Sequence, residues 1–153
     1  GLCWHHVYKA LTLYLNGEYK LALQASMIAA ENKIHEPGLM MTPDHHFYNS
    51  LIIGANWNTF ADSETYNYQQ ILIDNLDLMK MWMNHCPDNF SHRYHLMSAE
   101  LARIEERYHH AMEEYDHAIA LAEENGYMHH QAIAHELAGK NHGHQQQREQ
   151  EAG

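Results

Sequence analysis

Four side chains of types that commonly bind metals lie within one short stretch of the sequence, WMNHCPDNFSHRYH. They are His85, Cys86, His92 and His95. Structural zinc sites usually pair two cysteines about two to four residues apart with two histidines about three to five apart, and this stretch has no second cysteine. On a helix His92 and His95 would share a face and could bind a metal, but Pro87 separates them from the first two residues. We therefore predict no metal site, and interpret the stretch as a corner between two helices.

The other candidates for chemistry also have structural explanations. Cys86 follows His85 at the end of a helix, where the helix dipole disfavours a thiolate. The 16 histidines are interpreted as polar residues on solvated faces, because few of them have metal-ligand spacing. The same holds for the carboxylate pairs at 105–106, 113–114 and 123–124. We predict no catalytic residue, no cofactor and no enzymatic activity in this chain.

The composition indicates an acidic protein with reduced thiols. The chain has 153 residues, with 20 Asp and Glu against 9 Lys and Arg and a formal net charge of -11. That charge repels phosphate backbones and anionic lipid, so we do not expect nucleic acid as a partner. No run approaches the ~18 apolar residues of a membrane span. We therefore expect no membrane insertion. A chain of this size does not need its two cysteines as disulfide staples, so we expect reduced thiols and a cytoplasmic location.

The periodicity of the apolar residues predicts an all-α protein. Apolar residues recur three and four positions apart in nearly every segment, and no segment alternates for long with a period of two. The three prolines fall where helices should begin or end. We predict one helical domain over residues 1–138, with hairpins at 3–33, 44–86 and 91–125 and a last helix at 128–137. Residues 139–153 contain glycines and a glutamine run, so we predict a disordered tail.

Capping residues are expected at both internal breaks. Thr42 is a good N-cap for a helix whose first position is Pro43. After the third proline, the next helix is expected to be capped by Asp88, Asn89 or Ser91.

An internal repeat relates the first hairpin to the third. With one offset of 89 residues, four positions match: Tyr19 with Tyr108, Ala22 with Ala111, Ser26 with Tyr115, and Ala29 with Ala118. The alanines let paired helices approach closely, and the tyrosines fill the space between hairpins. This pattern resembles the turn and second helix of a tetratricopeptide repeat, although the offset is not a multiple of 34. We predict tetratricopeptide-like antiparallel hairpins stacked as a short, irregular solenoid.

A closer resemblance covers roughly residues 10–139 and depends on three motifs. They are Phe47-Tyr48-x-x-Leu51, Trp82-x-x-His85-Cys86-Pro87-x-Asn89-Phe90-x-His92 and Tyr115-Asp116-x-Ala118-Ile119. With these motifs in the same order, the chain is similar to the helical region of very large bacterial signalling proteins, best known in cyanobacteria. Those proteins combine a serine/threonine-kinase-like domain, an AAA-type (STAND) ATPase module, this helical region, a GAF sensor and often a histidine kinase. After Leu137 the sequence departs from the family's pattern.

The resemblance implies a connector or regulatory module whose partners are adjacent domains of a parent chain or another signalling protein. The chain contains no G-x-x-x-x-G-K-[ST] loop and no His-Arg-Asp catalytic loop. Since it begins at Gly1 in a helix-like pattern, we expect it to be a piece of a larger protein. The alternative is a stand-alone adaptor that captures a peptide in a concave groove. Its candidate groove residues are Lys9, Lys20, Arg103 and Arg107.

Overall fold

The computed structural model describes residues 2–32 and 43–153, with the side chains of 2–4 and 32 left out. These residues form seven α-helices and no strand, so the predicted all-α class is confirmed. The helices are α1 (Leu2–Leu15), α2 (Tyr19–Asn32), α3 (Pro43–Asn56), α4 (Asp62–His85), α5 (Pro87–Ile104), α6 (Tyr108–Glu124) and α7 (Met128–Ala152). Among them, none is both long enough and apolar enough to cross a bilayer. The expected cap at Thr42 and the proline at Pro37 lie outside the described residues.

The contacts group the chain into two compact units, Gly1–Asn75 and Leu76–Gly153. In the first unit α1 and α2 form a hairpin, and α3 packs against both of them. Its core consists of small residues on α2 and large ones on α3, among them Ala22, Ala29, Phe47, Leu51 and Ile52, all fully buried. A single 3-10 turn, Trp57–Thr59, follows α3.

The second unit contains α5, α6 and α7 together with the end of α4. Helix α5 packs against α6, and α6 packs against α7. Alanines line the contacts, so the helices approach closely: Ala99, Ala102, Ala111, Ala118, Ala122 and Ala134 are all buried. Tyr115 is the largest fully buried side chain of this unit.

Three turns in the chain share one pattern of backbone hydrogen bonds. In each, the first residue after the turn donates to the carbonyl five residues back: Glu18 to Leu13 at 2.9 Å, Arg107 to Ala102 at 2.9 Å and Tyr127 to Ala122 at 2.8 Å. The residue before it is left-handed in every case, with φ of 79° at Gly17, 61° at Glu106 and 80° at Gly126. This combination is the Schellman ending of a helix, used three times.

Residues 139–153 differ from the sequence prediction, because α7 continues through them to Ala152 instead of ending near Leu137. Asn141 is fully buried and donates to the carbonyl of Tyr108 at 3.1 Å. Arg148 pairs with Glu106 at 3.0 Å, and Gln145 bonds to Glu149 one turn on. The composition suggested disorder because of its glycines, but Gln, Glu and Arg are good helix formers and these contacts hold the helix against α6 and the preceding turn.

Candidate functional site

The stretch at residues 82–95 forms the corner between α4 and α5. α4 ends at His85, which is exposed, and α5 begins at Pro87. The Cys86 thiol between them is free and half-buried. The rings of Trp82 and Phe90 lie 6.3 Å apart across the corner. The structure therefore has the helix break that the proline predicts, and it does not bring His85 and Cys86 together with the later histidines.

The predicted cap of α5 is wrong. Helix α5 begins at Pro87, so Asp88, Asn89 and Ser91 all lie inside it, and Cys86 occupies the cap position without a side-chain hydrogen bond. Proline at the first helical position removes one of the N–H groups that have no partner within a helix, and its fixed φ suits the start of a helix.

His92 and His95 contact different helices instead of sharing a ligand. His92 is buried against α7, where its ring stacks on Tyr127 with centroids 4.3 Å apart. Its Nε2 lies 2.7 Å from Nδ1 of His130. His95 faces α6. The interpretation of the histidines as residues on solvated faces is wrong for His92, which is buried and has its partner on a helix that is distant in the sequence.

His92 is held in its neutral form. Burial, followed by the electrostatic effects of His130 and Arg93, lowers the pKa of His92 from 6.5 to about 3. Its Nδ1 is buried and has no hydrogen-bond partner among the described residues. A neutral ring with its proton on Nε2 donates to His130 and leaves Nδ1 without a proton, which avoids burying an unpaired donor.

Three side chains with metal-binding groups converge on the α5–α6 hairpin, and we call them the His-Glu-His cluster: His95, Glu114 and His117. One ligand atom from each lies within 4.8 Å of the other two. Nδ1 of His95 is 2.8 Å from one oxygen of Glu114, and Nδ1 of His117 is 4.0 Å from the other oxygen. The carboxylate thus lies between two imidazole rings, whose centroids are 5.2 Å apart.

A buried ion pair within α5 is linked to α6 by a tyrosine hydroxyl. Glu100 is fully buried and accepts two hydrogen bonds from Arg103, at 3.2 and 2.8 Å. The hydroxyl of Tyr115 also donates to Glu100. Burial, reinforced by the charge of Glu100, raises the pKa of Tyr115 above its usual range. Burial alone would lower the pKa of Arg103, but the Glu100 carboxylate outweighs it and raises that pKa.

The first unit contains a buried hydrogen-bond network that links α2, α3 and α4. Asn49 donates to the hydroxyl of Ser26 at 2.8 Å. Asn75 donates to Asn49 at 2.9 Å and to the hydroxyl of Ser50 at 3.0 Å. Its carbonyl oxygen lies 2.8 Å from Nδ1 of His46. Because every one of these side chains is buried, the network fixes the positions of three helices.

The sequence analysis did not predict the buried polar groups around Glu100 and Asn75, although the 89-residue repeat contained one indication of them. Ser26 and Tyr115 are matched by the 89-residue offset, and each supplies the hydroxyl that bonds to a polar side chain of an adjacent helix. A polar residue at a repeat position that is otherwise buried therefore indicates a buried hydrogen bond. Its partners, Asn49 and Glu100, come from other helices and are not indicated by the offset.

The four cations proposed for a peptide groove have separate positions. Lys9 and Lys20 are exposed on α1 and α2 of the first unit, and Arg103 and Arg107 belong to the second. Arg103 forms a buried ion pair with Glu100 at 2.8 Å, and Arg107 pairs with Glu105 at 3.2 Å on the surface.

No protein-family model, no curated protein and no solved structure matches the chain.

Proposed function

We propose that the chain is a non-catalytic helical-repeat module of a signalling protein, which connects or regulates other domains through protein contacts. In this proposal the helical hairpins form a tetratricopeptide-like, irregular stack. The observation that carries the proposal is the repetition of one turn geometry at Gly17, Glu106 and Gly126. Repeated hairpins of this kind serve mainly as scaffolds that contact their neighbours along a chain.

The equivalent positions on α2 and α6 support a repeat. Both helices begin at the matched tyrosine, Tyr19 or Tyr108. The three further matched pairs, Ala22 with Ala111, Ser26 with Tyr115 and Ala29 with Ala118, are buried in both copies. A chance similarity of composition would not place every matched side chain in a helix contact.

Exposed apolar side chains on the first hairpin suit a module that packs against a neighbour. Tyr8 and Leu15 are seven residues apart on α1 and are 62% and 60% exposed. Leu21 and Ile28 have the same spacing on α2 and are 48% and 40% exposed. Residues seven apart lie on one face of a helix, so each helix carries an apolar pair of the kind that an adjacent hairpin covers in a repeat protein.

Site-specific photo-crosslinking tests the proposal in the organism's own protein. A photoreactive amino acid at Leu21 or Ile28 is expected to crosslink to one defined polypeptide segment, either within a longer parent chain or on a partner. Gln24 and Glu31 on the same helix are exposed polar control positions. Crosslinking at Leu21 and Ile28 that is no stronger than at these controls would contradict the proposal.

Enzyme assays on the purified chain give a second test. We expect no ATP hydrolysis and no phosphotransfer above the level of a buffer control. Activity that copurifies with the chain and is lost on a single substitution would overturn the non-catalytic assignment.

If short peptides crosslink near Lys9 or Lys20 in preference to Leu21 and Ile28, the adaptor function replaces the connector.

A further inference from the structure

We propose that the His-Glu-His cluster binds one divalent transition-metal cation, and that zinc suits its ligands best. The three side chains come from both helices of the α5–α6 hairpin, His95 from α5 and Glu114 with His117 from α6. This site is independent of the connector function and stands on its own geometry.

The donor set is chemically suitable for zinc. Two imidazole nitrogens and one carboxylate oxygen are the three protein ligands of several zinc sites that keep a fourth position for water. Imidazole selects zinc and its neighbours in the first transition row over magnesium and calcium, which prefer oxygen ligands alone. The single carboxylate offsets half of the metal's charge. The net charge of -11 also favours cations near the protein.

The distances need only a small adjustment. With bonds of about 2.0–2.1 Å, two ligand atoms of a tetrahedral zinc lie about 3.3 Å apart. The contact between His95 and Glu114 is 2.8 Å, and that between His117 and Glu114 is 4.0 Å. No two of the three ligand atoms are more than 4.8 Å apart, so a ring must approach by up to about 1.5 Å, and the contact between His95 and Glu114 must open slightly to admit the ion.

The burial of the three residues makes this adjustment feasible. The side chain of Glu114 is 13% exposed and that of His95 is 25% exposed, so packing holds both in place. His117 is 67% exposed and can change its rotamer without displacing core atoms. Two ligands are thus pre-organised, and the third closes from the solvent side, where water can fill the open position.

A second set of the same residue types on α6 provides a matched control. Glu113 lies 3.4 Å from Nδ1 of His110 and 4.0 Å from Nε2 of His109. All three residues are on one helix and exposed, and no residue of α5 is among them. Adjacent histidines point about 100° apart, so they do not converge on one ion. We expect this set to bind zinc weakly or not at all.

Zinc titration of the metal-free 153-residue chain tests the proposal, with isothermal calorimetry as the readout. We expect one zinc ion per chain. Glu114→Gln and His117→Ala should each lower the affinity by at least about 100-fold, since loss of even an outer-shell partner costs 10–100-fold. Glu113→Gln and His109→Ala should leave it unchanged. A His142→Ala/His144→Ala variant removes two histidines near the end of α7 and should also retain the ion.

Cobalt substitution provides an independent readout. Co²⁺ in a tetrahedral site gives visible absorption bands, which should appear in the wild-type chain and disappear in Glu114→Gln. Circular dichroism will show that each variant keeps its helices, and the exposure of His117 makes its alanine variant the safest one structurally. The proposal is overturned if Glu114→Gln and His117→Ala bind zinc like the wild type, or if the wild type binds several ions with equally weak affinity.

Discussion

At the residue scale, the buried carboxylate of Glu100 is the most consequential single group. It has no exposed surface and depends on Arg103 and Tyr115 for its hydrogen bonds. Removing one partner of a buried ion pair leaves an uncompensated charge in a medium of low dielectric constant, which costs much more than the pair itself contributes.

We predict that Arg103→Met lowers the free energy of unfolding by about 3–5 kcal/mol. The surface pair of Arg107 and Glu105 is the control, and Arg107→Met should cost less than about 1 kcal/mol. In a double-mutant cycle, Glu100→Gln combined with Arg103→Met should cost less than the sum of the single changes. Urea unfolding followed by circular dichroism measures the free energy of unfolding of the wild type and of these four variants. Equal effects of Arg103→Met and Arg107→Met would refute the prediction.

His92 gives the second residue-scale prediction, which concerns pH. Its pKa is about 3 in the folded chain and about 6.5 in the unfolded chain. Between these values the unfolded chain binds a proton that the folded chain does not, so this contribution to stability is complete above pH 6.5 and declines as the pH falls. The decline is about 1.4 kcal/mol per pH unit well inside the window. The groups around the ring, namely His130, Arg93 and Tyr127, supply no carboxylate that would offset it.

The measurement is the free energy of unfolding at several pH values from 7 to 4.5. His92→Gln removes the titrating ring, so its curve should be flatter than that of the wild type in this range. His135→Gln changes an exposed histidine on α7 and should keep the wild-type slope. Parallel curves for His92→Gln and the wild type would show that His92 does not titrate on unfolding.

At the element scale, the sequence was sufficient for the helices and insufficient for their partners. Periodicity and the prolines predicted the all-α class and the order of the helices, including the pairs α1–α2 and α5–α6, which pack against each other. These signals are local, because they depend on residues three or four apart. The contacts of His92 with His130 and of His95 with Glu114 join residues 38 and 19 positions apart. Which helix a polar side chain meets depends on packing, so the sequence could not place the His-Glu-His cluster.

The end of α7 also depends on contacts between residues that are distant in the sequence. Gly139 and Gly143 lowered the predicted helix content, since glycine is poor in helix interiors. The fixed partners that hold the helix, Tyr108 for Asn141 and Glu106 for Arg148, are 33 and 42 residues away. The composition reflects the local cost of glycine in a helix and does not include the stability that these two distant contacts add.

The turns provide the element-scale prediction, in which one type of substitution has opposite effects at two sites. At Gly126 the backbone has φ of 80°, a conformation that costs a residue with a Cβ about 1–2 kcal/mol. A Cβ there would meet no atom within 4 Å, so the cost comes from the backbone alone. Gly139 is equally open but helical. Gly126→Ala should destabilise the chain by about 1–2 kcal/mol, and Gly139→Ala should stabilise it by up to about 1 kcal/mol. Thermal unfolding checks both, and a shift of the same sign would contradict the argument.

At the scale of the whole molecule, the division into two compact units cuts through a continuous helix. The boundary lies between Asn75 and Leu76, inside α4. The buried network at Asn75 belongs to the first unit, and the buried Glu100 with its partners Arg103 and Tyr115 belongs to the second. Each unit thus has its own polar anchors and its own buried alanines, which is what an independently folding segment requires.

We therefore predict that a fragment of residues 76–153 folds without the rest of the chain. Its core is internal to α5, α6 and α7, since Leu96, Ala102, Tyr115 and Ala118 are all buried there. The fragment should give a helical circular dichroism spectrum and a cooperative thermal transition, and it should reproduce the acid sensitivity that depends on His92. Ala118→Asp in the same fragment is the control, because a charge at a close contact between helices should abolish the cooperative transition. A fragment that is helical but melts without cooperativity, and no differently from this variant, would mean that the second unit needs the first to complete its core.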